Sequence, residues 1–114
     1  MAMGASCEIV NNTGHVIVFT TISQVNDDST WNIKPPVATK IANGDNCLIS
    51  MGNSSFFPRG VGFDAQFVDS NLNPGRIYLD DPAVGKHEFT FNGNFKFTQT
   101  NPSGNSYVIT INPA

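Results

Sequence analysis

The stretch Arg76-Ile77-Tyr78-Leu79-Asp80-Asp81-Pro82-Ala83-Val84-Gly85 decides how the chain is read, because a β-prone run stops there at a sharply specified corner. Ile77 and Leu79 alternate with Arg76, Tyr78 and Asp80, the period-2 pattern of a strand with two unlike faces. Asp81-Pro82 removes a ladder donor and fixes φ, so the strand must end there. Asp80 and Asp81 are placed to accept hydrogen bonds from backbone amides of the turn, and Gly85 supplies a positive φ before the next strand. Taken alone this is an ordinary strand-ending turn. Its weight comes from its surroundings, where every other segment reads as strand or turn.

Upstream, residues 7–10 read as a short strand, 11–14 as a turn and 15–22 as a strand, together a first hairpin. The apolar run Val16-Ile17-Val18-Phe19 predicts burial on both sides of that strand. His15, a lone histidine after a glycine, reads as a turn hydrogen-bonder. Residues 24–39 form an irregular loop with an edge strand around Trp31-Asn32-Ile33, since Lys34-Pro35-Pro36 cannot sit in a central ladder. Trp31 is either a core anchor beneath this loop or an exposed ligand contact, and burial is the commoner fate of a single tryptophan. Asp27 and Asp28 lack the spacing of a calcium loop and read as a solvated turn. Asn43-Gly44 predicts a second hairpin, from residues 39–42 into 47–51. Gly52 to Gly60 is a flexible loop whose adjacent Phe56 and Phe57 either cap the core or make an exposed apolar contact.

Val61, Phe63, Ala65 and Phe67 alternate with polar or small residues, as in a half-buried strand. Beyond the corner, Phe89, Phe91, Phe95 and Phe97 flank Asn92-Gly93-Asn94. A three-residue hairpin loop with Asn94 in the left-handed conformation would pair Phe91 with Phe95 and set all four rings on one face. Tyr107, Ile109 and Ile111 complete a closing strand. The predicted fold is all-β, a two-sheet antiparallel β-sandwich.

Composition agrees. The 114 residues make one domain, 1–114, with the first six expected to be disordered. Nine of the twelve aromatic residues are phenylalanine, and only 13% of residues are charged. A net charge of -3 lacks the basic surface that nucleic-acid binding needs. With neither a basic n-region nor an apolar h-region in residues 1–6, cytoplasmic synthesis without a signal peptide is expected. Cys7 and Cys47 can pair in principle, but free, buried thiols are the expectation. Asn11-Asn12-Thr13 and Asn53-Ser54-Ser55 fit a glycosylation pattern and read instead as turn chemistry.

Asp80-Asp81-Pro82-Ala83-Val84-Gly85, with the pattern Asp-x-Pro-x-x-Gly at the end of an aromatic and aliphatic strand, resembles the corresponding corner of the aegerolysins, a family of small lipid-binding β-sandwiches. Asn11-Asn12-Thr13-Gly14-His15 resembles the opening turn of the small aegerolysin-like component of bacterial binary insecticidal proteins. The order of features also matches from Cys7 to Pro113: opening turn, tryptophan, proline stretch, Gly-rich centre, corner, two final strands. The resemblance implies a membrane-lipid-binding protein, with sphingolipid among the candidate lipids, acting with a larger pore-forming partner at target-cell membranes after release or storage in inclusions. Trp31, Phe56, Phe57, Tyr78, Asp80 and Asp81 are the candidate lipid- or partner-binding residues. One departure is clear: the sphingolipid binders are rich in tryptophan near this corner, whereas here stand Ala83-Val84 and Lys86-His87.

No catalytic chemistry has convincing spacing. His15, His87, Cys7 and Cys47 form no zinc motif, no Gly-x-Ser-x-Gly elbow or phosphate loop is present, and neither a metal nor a cofactor is expected. Two other readings stay open, a lectin-like module using Trp31 and Tyr78 and a plain structural or storage protein. The oligomeric state is not legible.

Overall fold

The computed structural model describes residues 3–114. These form β1 (Met3–Asn11), β2 (Ile17–Gln24), β3 (Thr30–Ile33), β4 (Lys40–Ile41), β5 (Asn46–Asn53), β6 (Gly60–Asp69), β7 (Pro74–Pro82), β8 (Glu88–Gly93), β9 (Phe95–Ser103) and β10 (Ser106–Pro113). One sheet has the order β3-β5-β1-β10-β9 and the other β4-β2-β6-β7-β8. The two-sheet sandwich is as predicted. Its pairing is antiparallel except at the centre of the first sheet, where β1 and β10 run parallel, Cys7 opposite Tyr107 and Ile9 opposite Ile109. Parallel neighbours cannot be joined by a tight turn. Here the whole intervening chain serves as the crossover. Residues 3–6, expected to be disordered, begin β1 and pair with β5; Met1 and Ala2 lie outside the described residues.

Period-2 alternation fills the space between the sheets. Cys7, Ile9, Ile49, Ile109 and Ile111 face Ile17, Phe19, Val61, Phe63, Ala65, Phe67, Ile77 and Leu79, all essentially inaccessible to solvent. A bulge between Phe19 and Thr21 lets both Phe19 and Ile22 point inward despite their three-residue spacing. The run at Val16 is buried on one side only: Ile17 and Phe19 face the core, Val18 is half-buried and Val16 is exposed, because the two-residue β4 gives this edge little cover. Cys7 is buried, Cys47 half-buried, and both are free thiols, as expected. Burial pushes each of them up to about 12.

Three predicted hairpins are instead crossings between sheets. The turn after Asn11 carries the chain from β1 to β2, Asn43-Gly44 carries it from β4 to β5, and Asn92-Gly93-Asn94 from β8 to β9. Gly14, Gly44 and Gly93 all have positive φ, at 89°, 89° and 116°. Such a residue reverses the chain equally well within a sheet or out of it, so the local signal is the same. At the last crossing Gly93, not Asn94, takes the positive φ. The four phenylalanines still point inward, now from two sheets. The rings of Phe91 and Phe97 stack across the gap at 4.8 Å and 7°, while Phe95 lies 5.3 Å from Phe67. This aromatic column closes the open side of the sandwich.

Phe67 contacts Phe19, Phe95 and Phe97 and is fully buried. Phe67→Ala should cost about 3–5 kcal/mol of stability, and Phe91→Ala, half-exposed in the column, distinctly less. Urea unfolding of the two variants checks the order.

Candidate functional site

One end of the sandwich gathers the start of β6, the end of β5 and the end of β7, and with them the loops 25–29, 54–59 and 83–87. Asn53, the last residue of β5 and 1% exposed, organises them. Its Nδ2 donates to the Gly60 carbonyl at 2.9 Å and to Asp28 Oδ1 at 3.0 Å, and its Oδ1 accepts from Ser55 N at 3.1 Å. Asp28 Oδ2 in turn accepts from the backbone N–H of Arg59 at 3.1 Å, and the Arg59 guanidinium is ion-paired with Asp27. The acidic pair read as a solvated turn is thus the fastening of the aromatic loop.

On this fastened loop Phe56 and Phe57 are each 82% exposed, packed edge to face with ring centres 4.6 Å apart. Neither caps the core. The corner lies alongside, because the Ala83 N–H donates to the Arg59 carbonyl at 3.0 Å. Its tip, Val84, is 91% exposed. Sequence reasoning passed over Val84, as one valine between alanine and glycine carries no signal. Only the bond between the two loops brings its loop next to the one that carries the phenylalanines.

The corner differs from expectation in its aspartates. β7 ends at Pro82 and Gly85 has φ 110°, both as predicted. Asp81, however, faces inward, only 8% exposed, and its Oδ2 has no hydrogen-bond partner. The strict alternation of β7 continues through it, so the side chain that was to cap the turn is aimed at the core instead. Burial pushes the Asp81 carboxyl above its ordinary value of 3.8, against the pull of His87 and with the help of Asp80. Asp80 sits on the outer face between Gly62 and Glu88. Tyr78, also on the outer face, lies under the Arg76 guanidinium at 5.0 Å. Trp31 is half-buried in the edge strand β3 opposite Met51, with Lys34 Nζ 5.2 Å from its ring. The six candidates therefore divide: Phe56, Phe57, Asp80 and Asp81 share one end, while Tyr78 and Trp31 lie on the outer face of one sheet and the edge of the other.

The opposite end is built from satisfied polar groups. Asn11, fully buried, donates to the carbonyls of His15 and Ile41 and accepts from the N–H and hydroxyl of Thr13. Both Asn-x-Ser/Thr segments are thus turn chemistry, as expected. Asp69 accepts from Asn73 Nδ2 and from the backbone amides of Asn71 and Asn73, bonds that hold its carboxyl below the ordinary value.

Two mostly antiparallel sheets, with no helix among the described residues, form a β-sandwich of aegerolysin-like fold, as two solved structures show. The chain is similar to IP-1A from Alcaligenes faecalis, with a TM-score of 0.70 over 97% of this chain and 91% of that one at 13% identity. It is likewise similar to the RahU protein, solved in complex with a Tris molecule, with a TM-score of 0.69 over 96% of this chain and 92% of that one at 12% identity. No protein-family model and no curated sequence matches, so the likeness is one of fold.

Asp81 and Asp69 should give opposite pH signatures. A carboxyl raised by folding binds its proton more tightly in the folded state, so its contribution is favourable in acid and lost as pH rises. Asp81→Asn should therefore raise the melting temperature at pH 7, with the gain closing below 3.8, the ordinary value. Asp69 is lowered, so its contribution is present at neutral pH and lost in acid. Asp69→Asn should lower the melting temperature at pH 7, the deficit shrinking as pH falls. Thermal melts of both variants from pH 7 down to about 2.5 read the two signs.

Proposed function

We propose that this protein recognises membrane lipid through the end that carries Phe56, Phe57 and Val84, and that it acts as the small component of a binary pore-forming system beside a larger partner protein. The observation that supports this most is the cluster itself. Three apolar side chains, 82%, 82% and 91% exposed, stand on two loops tied by the Ala83–Arg59 hydrogen bond. Exposing adjacent phenylalanines to water on an anchored loop has no folding benefit, whereas aromatic rings settle readily at a bilayer interface.

The charges beside them suit a neutral or zwitterionic surface. Arg59 is ion-paired with Asp27 and leans on Asp28, so it offers little to anionic lipids, and the net charge is -3. A sphingolipid with a zwitterionic headgroup fits this balance. The corner lacks tryptophan, which makes insertion shallow. A shallow, reversible contact is what a docking component needs if the partner supplies the membrane-crossing part. The resemblance of the opening turn to bacterial binary insecticidal components points to the same division of labour.

Replacing both Phe56 and Phe57 by Ser should weaken binding to sphingolipid-containing liposomes about tenfold or more, since removing one phenylalanine from water is worth ~1.5–3 kcal/mol. Stability should change by less than about 0.5 kcal/mol, as expected of exposed loop positions. Co-sedimentation and thermal melts on the same samples check both halves. Wild-type protein that binds no liposome, alone or with a partner, would remove the function.

A further inference from the structure

The outer face of the β4-β2-β6-β7-β8 sheet carries a groove of about 380 Å³ that the lipid-binding end does not use, lined by Gln66, Pro74, Gly75, Arg76, Asn92 and Gly93. Its long side is a single cross-strand row. Gln66 on β6 stands opposite Arg76 on β7, which stands opposite Asn92 on β8. Adjacent strands lie about 4.8 Å apart, so the three side chains leave the sheet along roughly 10 Å, with the Arg76 guanidinium leaning toward the next row at Asp64 and Tyr78.

The floor is backbone. Gly75 and Gly93 face each other across the ladder. A Cβ on Gly75 would lie 2.2 Å from the Phe67 ring, and one on Gly93 would lie 2.5 Å from the Pro74 carbonyl oxygen in a backbone of φ 116°. Both missing side chains would point inward, toward the rings of Phe67 and Phe95, so on the outer face the sheet presents only backbone at these two positions.

Arg76 is held still. Its Nε and Nη2 donate to the two carboxylate oxygens of Asp64, each at 2.8 Å, and its guanidinium lies over the Tyr78 ring at 5.0 Å. A guanidinium has five N–H donors in a fixed plane, so the fork to Asp64 leaves three free, and they are pre-oriented. The Asp64 carboxylate cancels the charge, which removes the attraction for an anion that a free arginine would have. The exposed amides of Gln66 and Asn92 each both donate and accept, as hydroxyl groups do.

We propose that this groove is a second binding site, for a neutral, hydroxyl-rich glycan, with Gln66, Arg76 and Asn92 hydrogen-bonding successive sugar hydroxyls along the Gly75–Gly93 backbone. The site is independent of the apolar end, from which it is separated by the length of β7. A glycan of this kind occurs either as a free or protein-linked oligosaccharide or as the headgroup of a neutral glycolipid, and both present the same hydroxyls. Such a site would add a surface address to the lipid contact.

The test is a glycan array of neutral oligosaccharides with sialylated and sulfated ones beside them, followed by titration calorimetry with the best neutral oligosaccharide. Binding to neutral glycans is expected, falling about tenfold or more in Gln66→Ala, Asn92→Ala and Arg76→Lys, which lose hydrogen bonds to the ligand or the planar fork. Liposomes with and without a neutral glycolipid distinguish the two sources. Melting temperatures of Gln66→Ala and Asn92→Ala should be unchanged, and so should their binding to sphingolipid liposomes without sugar, so failure here is separable from failure of the lipid reading. Three results each overturn the proposal: no glycan bound, preference for acidic glycans, or full binding by Gln66→Ala and Asn92→Ala.

Discussion

Asn11 and Asn53 end two neighbouring, antiparallel strands and so lie at opposite ends of the molecule, both almost inaccessible to solvent. Each holds the start of a sheet crossing with the same device. The side-chain oxygen accepts the amide two residues ahead, while the side-chain nitrogen reaches a carbonyl belonging to the other sheet, Ile41 in one case and Gly60 in the other. A buried amide left without partners costs ~1–3 kcal/mol, so these positions tolerate only arrangements that satisfy the whole group. The crossings are thereby fixed in direction, and two sheets that share no ladder are held in one relative position at both ends. The apolar core then fills a space whose ends are already specified.

The two ends use this device for different purposes. At the Asn11 end the neighbouring polar groups, Thr13 and Asp69, are themselves satisfied. At the Asn53 end the network passes outward through Asp28 to Arg59 and stops beneath two exposed phenylalanines. The same end carries the orphaned Asp81 oxygen and the tip valine. Apolar groups in water and a carboxylate without a partner are each unfavourable for folding. Their concentration on one anchored end, away from the satisfied one, is the pattern expected where local rules of stability give way to recognition.

Much of the fold is legible residue by residue. Alternation at Val61, Phe63, Ala65 and Phe67, and again at Tyr107, Ile109 and Ile111, gives both strand and inward face, because a pleated strand has only two sides. The corner after Leu79 and the breaks at Asn-Gly and Asn-Pro-Gly mark most of the connections. What was misread at Asn43-Gly44 and Asn92-Gly93 was their destination. A positive φ reverses the chain, but whether the next strand returns to its own sheet depends on which strand it will pair with many residues away. The predicted pairing of Phe91 with Phe95 on one sheet face fails with it, although burial still drives all four rings inward, two from each sheet.

The candidate site was half visible. Phe56 and Phe57 could be nominated from two adjacent aromatics in a Gly/Ser/Pro loop, yet the choice between core cap and exposed contact rested on the length and anchoring of that loop, which Asn53 and Asp28 set. Sequence by itself determined the all-β class, the strand faces, the corner at Pro82, the free thiols and the turn role of the two Asn-x-Ser/Thr segments, since each follows from local backbone sterics or side-chain chemistry. Tertiary structure alone decided the parallel β1–β10 pair, the inward turn of Asp81, the tie between the Val84 loop and the phenylalanine loop, and the row Gln66–Arg76–Asn92. Each of these is a relation between residues far apart in the chain, and such relations are fixed by which packing buries the core and satisfies its polar groups together.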